Sequence, residues 1–168
     1  STYSIGAAYN GFRVSQSTGY KSPTLYELYG ADNFGYTGNV NLKPEKSVSK
    51  EIGYSNNSKS HNFDIAFYTT DIEDMITYSN STYNNDSDGV STIKGADIDF
   101  TYYVGNFSFV NNIALTSAQD SSNTWLKRRP HTVWKSGITY AKDNYYITPS
   151  ILYYGDHRDT DSVNWSTI

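Results

Sequence analysis

With 168 residues the chain is the size of one domain or of a section of a larger one. Its net charge of −4 gives no electrostatic reason to expect nucleic acid as a partner. The absence of cysteine removes disulfides, thiolate metal sites and thiol nucleophiles from consideration. Polar character and rings coexist in an unusual ratio: mean hydropathy is −0.62, yet 16 % of residues are aromatic and 17 are tyrosine. Tyrosine joins an apolar body to a wet tip, which suits a membrane–water interface or a binding surface. No run approaches the roughly 18 to 20 consecutive apolar residues of a spanning helix. Contact with a bilayer would therefore be made by strands. Ser1 to Tyr9 lacks the basic region and apolar core of a secretory signal.

In chain order the hydrophobic period is two. Tyr3, Ile5, Ala7 and Tyr9 share a face, and Asn10-Gly11 is a strong two-residue hairpin signal. Phe12 and Val14 continue on the return strand, with Arg13, Ser15 and Ser17 on the other face. Gly19 to Ser47 does not alternate; it holds two of the four prolines and the rings Tyr20, Tyr26, Tyr29, Phe34 and Tyr36. A connection of this length is normally functional or disordered, and this one is too aromatic for disorder. Alternation resumes with Val48, Lys50, Ile52 and Tyr54 opposite Ser49, Glu51, Gly53 and Ser55, followed by a polar turn over residues 56–60.

The next strand carries Phe63, Ile65 and Phe67 against Asn62, Asp64 and Ala66 and runs to Tyr78. Asn80 to Gly89 is expected as a polar loop. Ala96, Ile98, Phe100 and Tyr102 then face away from Gly95, Asp97, Asp99 and Thr101, and Gly105-Asn106 turns the chain. Phe107 to about Ser117 returns, but Val110 breaks its alternation and leaves its faces unassigned. A second long connection spans Ala118 to Pro130. Thr132, Trp134, Ile138 and Tyr140 alternate up to a turn at Lys142 to Asn144, and the last strand runs from Tyr145 to about Tyr154. Pro149 removes a ladder donor inside it, so a bulge or weak point is expected there.

The expected fold is all-β, an antiparallel meander of about eight strands. Short turns near residues 10, 57, 106 and 143 fall at one end. Long connections at 19–46, 79–90, 118–130 and from 155 onward fall at the other. With one apolar and one polar face per strand, this asymmetry is the pattern of a transmembrane barrel wall. Arg13, Glu51, Asp64, Asp97, Asp99 and Lys135 lie on the polar face, which is a lumen in a barrel and a solvent face in a soluble sandwich. Strands of about ten residues favour the barrel. Glu51 needs a partner or lumen water on that face, and Arg13 on the preceding strand is the candidate.

The segments Gly19 to Tyr29 (Gly-Tyr-Lys-Ser-Pro-Thr-Leu-Tyr-Glu-Leu-Tyr) and Asn39 to Ser47 (Asn-Val-Asn-Leu-Lys-Pro-Glu-Lys-Ser) resemble the barrel signature of TonB-dependent outer-membrane receptors. Asp71 to Ile76, Ile93 to Asp97 and Leu126 to His131 resemble further signatures of that family, in the same order and at similar spacing. The arrangement is most similar to the cobalamin and catecholate-siderophore receptor branch, and it covers nearly the whole chain. The resemblance makes Pro23, Leu42, Pro44, Glu45, Glu51 and Gly95 motif residues with structural roles. It implies a section of a 22-stranded wall in the Gram-negative outer membrane, in contact with outer-membrane lipid. It further implies uptake of a cobalamin or iron-siderophore ligand and a TonB partner reached through a plug region that residues 1–168 do not contain. The closing strands and terminal aromatic of the family are also missing, and Ser166-Thr167-Ile168 ends inside a loop by pattern. On that reading residues 1–168 are a single-domain fragment from the late middle of the barrel, unable to transport anything alone.

Pro44 fixes its own φ and holds Lys43 extended, so the chain re-enters the sheet at a set angle, with Glu45 and Lys46 at the hydrated rim. The rings Tyr26, Tyr29, Phe34, Tyr36, Tyr83 and Trp125 at the long-loop end are candidates for ligand capture. For most of them an interfacial aromatic girdle with loop packing is the favoured account. Asn84 to Gly89 has closely spaced oxygen ligands but lacks the bidentate glutamate of a calcium loop, and Asp156 to Asp161 reads as a solvated loop. No metal or cofactor is expected. His61, His131 and His157 lack any nucleophile-elbow or His-Glu metal context, so no catalytic residue is assigned. Asp97 and Asp99 share a face about 7 Å apart, a spacing that glycoside chemistry uses, but their family-like context explains them without catalysis. Two other readings stand beside the transporter section: a complete small eight-stranded barrel with a structural or adhesive role, and a soluble β-sandwich that binds sugar or peptide, or cleaves one.

Overall fold

A computed structural model of the chain describes residues 2–160 and 163–165. It is an antiparallel meander whose strands follow one another in space as they do in sequence. They are β1 (Ser4–Tyr9), β2 (Phe12–Lys21), β3 (Glu45–Asn57), β4 (His61–Ser79), β5 (Thr82–Val104), β6 (Phe107–Gln119) and β7 (Thr132–Lys142). Next to β7 the chain returns as two pieces, β8 (Tyr145–Ile147) and β9 (Ser150–Tyr154), which both pair with β7. Pro149 lies in the break between them, where it cannot donate to the ladder, although its carbonyl still accepts from Ile138 N at 3.1 Å. A separate two-stranded piece, β10 (His157–Thr160) with β11 (Val163–Trp165), follows, so residues 157–160 form a strand where a solvated loop was expected. Asp161 and Ser166 to Ile168 lie outside the described residues. One helical turn, α1 (Leu25–Tyr29), interrupts the all-β pattern.

Strictly paired register sorts the side chains. Phe12, Tyr54, Ile65 and Ile98 stand side by side on one face, and Arg13, Gly53, Ala66 and Asp97 on the other. Val110 opposes Thr101 and Gly137, which puts it on the polar face and assigns Phe109 and Ile113 to the apolar one. Burial is inverted relative to a soluble protein. The polar face holds the deeply buried positions, Ala66 at 6 %, Ser91 at 0 % and Ala118 at 3 % exposure. The apolar face stays open, with Ile52 at 54 %, Phe67 at 53 % and Ile147 at 64 %. A sheet that curls toward its polar side crowds small residues inside and splays large apolar ones outside, as a barrel wall in lipid requires.

The sheet is a single layer running from β1 to the β8–β9 pair without closing on itself. No second sheet covers the apolar face, so the described residues form neither a sandwich nor a closed eight-stranded barrel.

The rim departs from expectation. Asn80 to Gly89 is not a loop. β4 continues to Ser79, turns through Asn80 and Ser81 (φ 50 and 62) and returns directly as β5. The polar composition of this stretch suggested a loop, but a strand standing clear of the bilayer needs no apolar alternation. At about 3.4 Å per residue the 19 residues of β4 span roughly 65 Å, well beyond the 9 to 11 residues needed to cross a membrane. The hairpin therefore projects from the wall. β2 also runs further than its pattern suggested, to Lys21, and β3 begins at Glu45.

Candidate functional site

The long connection between β2 and β3 folds against the projecting β4–β5 hairpin. Pro23 precedes Thr24, whose side chain caps α1 by accepting from Glu27 N at 3.2 Å, while the Glu27 carboxylate accepts from Thr24 N at 2.6 Å. This reciprocal pair satisfies two otherwise orphaned N–H groups. It was legible in the spacing Thr24-x-x-Glu27, but a search for period two passes over a helix of five residues. Asp32 then organises the turn, its carboxylate accepting from Phe34 N at 2.8 Å and Tyr36 N at 3.0 Å.

Tyr36 is the hub of the rim. Its ring stacks on Tyr26 with centroids 4.7 Å apart, meets Tyr83 edge-on at 5.8 Å and lies 6.1 Å from Tyr78. Its hydroxyl donates to Tyr26 O at 2.6 Å. At 4 % exposure it offers no face to a ligand, which corrects its place among the candidate contacts. Burial pushes its phenol above the usual tyrosine range. Around it, Phe34 is 95 % exposed, Tyr29 69 % and Tyr26 54 %; Tyr26 stacks on the buried Tyr36, which the half-buried Tyr83 meets edge-on. Trp125 is elsewhere: it forms a bridge with Gln119 on the β6–β7 connection and packs edge-on against His131 at 4.1 Å.

Polar stitches tie connection to hairpin. Asn39 Nδ2 donates to Tyr83 O at 3.0 Å, Thr82 Oγ1 to Thr37 O at 2.6 Å, and Asn85 both accepts from Lys43 N at 2.7 Å and donates to Lys43 O at 2.9 Å. Asn85 and Asp86, considered for calcium, thus spend oxygens on the protein itself, Asp86 accepting from Ser121 N and Oγ. Glu45 is no free rim charge. One oxygen accepts from Lys21 Nζ and from Ile76 N, both at 2.9 Å. Ile76 follows the bulge at Asp74 (φ 53), where the β4–β5 hairpin leaves the register of the wall. Glu45 therefore pins the hairpin at its bend, and buried Leu42, 8 % exposed, anchors the approach to Pro44.

On the polar face the expected pair between Arg13 and Glu51 is present, Nε to Oε1 at 2.9 Å. Asp64 is the partner that pattern did not reveal, since Arg13 also donates to both its oxygens at 2.6 and 2.9 Å. To reach β4 from β2 the guanidinium crosses β3 over Gly53, where a Cβ would lie 2.5 Å from Arg13 Cζ. Asp64 and Asp99 are directly opposed carboxylates. Arg13 neutralises the first, and the Asn112 amide donates to the second. Gly95 has a similar spatial cause: a Cβ there would meet Leu115 O at 2.2 Å and Tyr68 Oη at 2.7 Å.

A single open sheet, polar and crowded inside, bare and apolar outside, with an aromatic rim on one end, defines a section of a transmembrane β-barrel wall. The chain belongs to the TonB-dependent receptor-like β-barrel family, whose model matches residues 1–167. It is 29 % identical over 154 residues to the vitamin B12 transporter BtuB of Vibrio vulnificus, covering 89 % of this chain and 24 % of the relative. With the BtuB of Vibrio cholerae it shares 27 % identity over 172 residues, 99 % of this chain and 28 % of the relative. Among solved structures it matches a variant of the ferric enterobactin receptor PfeA of Pseudomonas aeruginosa, in complex with enterobactin. The TM-score is 0.79 at 18 % identity, over 99 % of this chain and 31 % of that one. The chain thus spans about a quarter of the length of these curated relatives, which are named as transporters rather than enzymes.

Proposed function

We propose that the chain forms part of the wall and outer rim of a Gram-negative outer-membrane transporter. It takes up a cobalamin-type or ferric-siderophore-type ligand, with energy relayed through TonB to a plug that residues 1–168 do not include. The observation that carries this reading is the single sheet whose large apolar face is left open while its long connection is ordered against a projecting hairpin. Phe34, Tyr29 and Tyr26 are the first ligand contacts, Tyr26 backed by Tyr36, and Trp125 serves a different part of the rim. The polar face, where Arg13 bridges Glu51 and Asp64, presents a hydrated lumen. Family membership and the names of the relatives support transport; the choice of ligand rests on those names alone.

Binding of cyanocobalamin and of ferric enterobactin to the full-length protein in detergent tests this. One of the two is expected to bind, and Phe34→Ala with Tyr29→Ala should weaken it about tenfold or more, as loss of exposed aromatic anchors does. If neither ligand binds, the assignment to this branch fails. Binding indifferent to both substitutions removes the rim from the ligand site.

A further inference from the structure

At the rim end of the apolar face two adjacent ranks differ sharply. One rank, Ile52, Phe67, Ala96 and Leu115, is apolar. The next rank outward contains Lys50 and Lys94, on either side of Thr69. Between the ranks lies an open groove of about 780 Å³. Ala96 contributes only a methyl between Phe67 and Leu115, which leaves the depression. Trp125 and His131 also line it; the bridge to Gln119 puts the Trp125 side chain on this same face.

Neither lysine forms an ion pair with a described residue. Across the strands Lys50 faces Gln16 and Thr69, and Lys94 faces Thr69 and Ser117. The nearest carboxylate in register, Asp71, stands one rank further out and accepts from Thr92 Oγ1 at 3.0 Å. Beyond it Glu73 directly opposes Lys46. Two cations two strands apart, about 10 Å at the backbone, can converge on one anionic group. Lysines snorkelling at the end of a wall explain the charges alone. They do not explain a cavity beside them with an apolar floor and an indole in its lining.

We propose that this groove seats one phosphorylated lipid of the outer leaflet. An acyl chain lies over Ile52, Phe67 and Leu115, the phosphate sits between Lys50 and Lys94, and Trp125 marks the interface. The proposal rests on the reading of the apolar face as lipid-facing.

Native mass spectrometry of the full-length protein in neutral detergent, titrated with lipid A, phosphatidylcholine or inorganic phosphate, tests it. Lipid A should bind best. Lys50→Gln with Lys94→Gln should weaken it about twenty-five-fold, at roughly fivefold per lysine near an anionic headgroup, and leave phosphatidylcholine unchanged. Ala96→Trp, which fills the floor and keeps both charges, should also remove lipid A. Unchanged lipid A binding by the lysine variant, equal binding of phosphatidylcholine by the wild type, or inorganic phosphate binding as tightly as lipid A each overturns the proposal. Heat-shifted electrophoretic mobility confirms that each variant is folded. The quenching by brominated acyl chains that Ile98→Trp adds to that of the native tryptophans isolates the underlying reading. No added quenching sinks the lipid-facing wall itself, whereas added quenching without lysine dependence of lipid A binding sinks only the site.

Discussion

Wall and rim solve the same problem by different means. In the wall, from β2 through β7, the strands pair in continuous register up to the bulge at Asp74, and parity decides where a side chain points. Lipid would cover one face and water or protein the other, so the requirement on each residue is coarse. In the rim, over residues 22–44 and the outer half of the β4–β5 hairpin, there is no lipid to hold a face. Order comes from individual contacts: the Tyr36 hub, the Thr24–Glu27 cap and the amides of Asn39 and Asn85. A region held by parity tolerates many substitutions but few changes of volume at its crowded points. A region held by single side chains should fail one contact at a time.

The wall's side of this contrast gives the largest expected effect. Gly95→Val forces a Cβ against a carbonyl and a tyrosine hydroxyl at once, and should prevent stable assembly of the full-length barrel, seen as loss of heat-modifiable mobility and of folded protein in the membrane. At Gly53→Val the nearest atoms are the guanidinium end of the Arg13 side chain rather than backbone. This substitution should cost much less, about 1 kcal/mol for the part-exposed ion pairs it displaces. Equal damage at both positions would show that contact with backbone is not the deciding factor.

Tyr36→Ala is the corresponding break in the rim. Removing a buried ring costs about 3 kcal/mol or more, and here the loss should stay local. Limited proteolysis is expected to cut within residues 22–44 while the wall remains heat-modifiable. Global unfolding of this variant would erase the division between the two regions. A smaller effect is expected from Glu45→Gln, which weakens charge-assisted bonds to Lys21 and Ile76 by about 1–2 kcal/mol. It should raise amide exchange on both sides of the bulge at Asp74, and unchanged exchange there would remove Glu45 from its pinning role.

The same contrast explains what the sequence disclosed. Period two located the wall strands, and parity correctly placed Arg13 beside Glu51. Asp64 escaped because parity names a face but not how far an arginine reaches across it. The projecting hairpin escaped because Asn84, Asn85 and Asp86 look like loop residues wherever a strand is freed from lipid. Tyr36 and Phe34 were indistinguishable as exposed rings of one aromatic connection. Only the folded turn around Asp32 buries one and lifts the other clear. A local signal did exist for α1 in its capping box, whereas nothing local announced the stitches from Asn39 and Asn85, whose partners lie more than forty residues away.

The smallest effect concerns proton binding at the rim hub. Burial favours the neutral Tyr36 phenol, raising its folded pKa above the unfolded value of about 10. The resulting stabilisation is complete below that unfolded value and disappears as pH rises through the folded one. Alkaline titration should therefore loosen residues 22–44 before it disturbs the wall. Tyr36→Phe keeps the stack on Tyr26 but loses the bond to Tyr26 O, about 1 kcal/mol. It should shift the protease sensitivity of this segment to lower denaturant while making it less dependent on alkaline pH. The difference between the tyrosinate absorbance curves of the two proteins isolates this one phenol from all the others. If that phenol titrates with the bulk of the tyrosines, its hydroxyl is solvated and Tyr36 is not the hub of the rim.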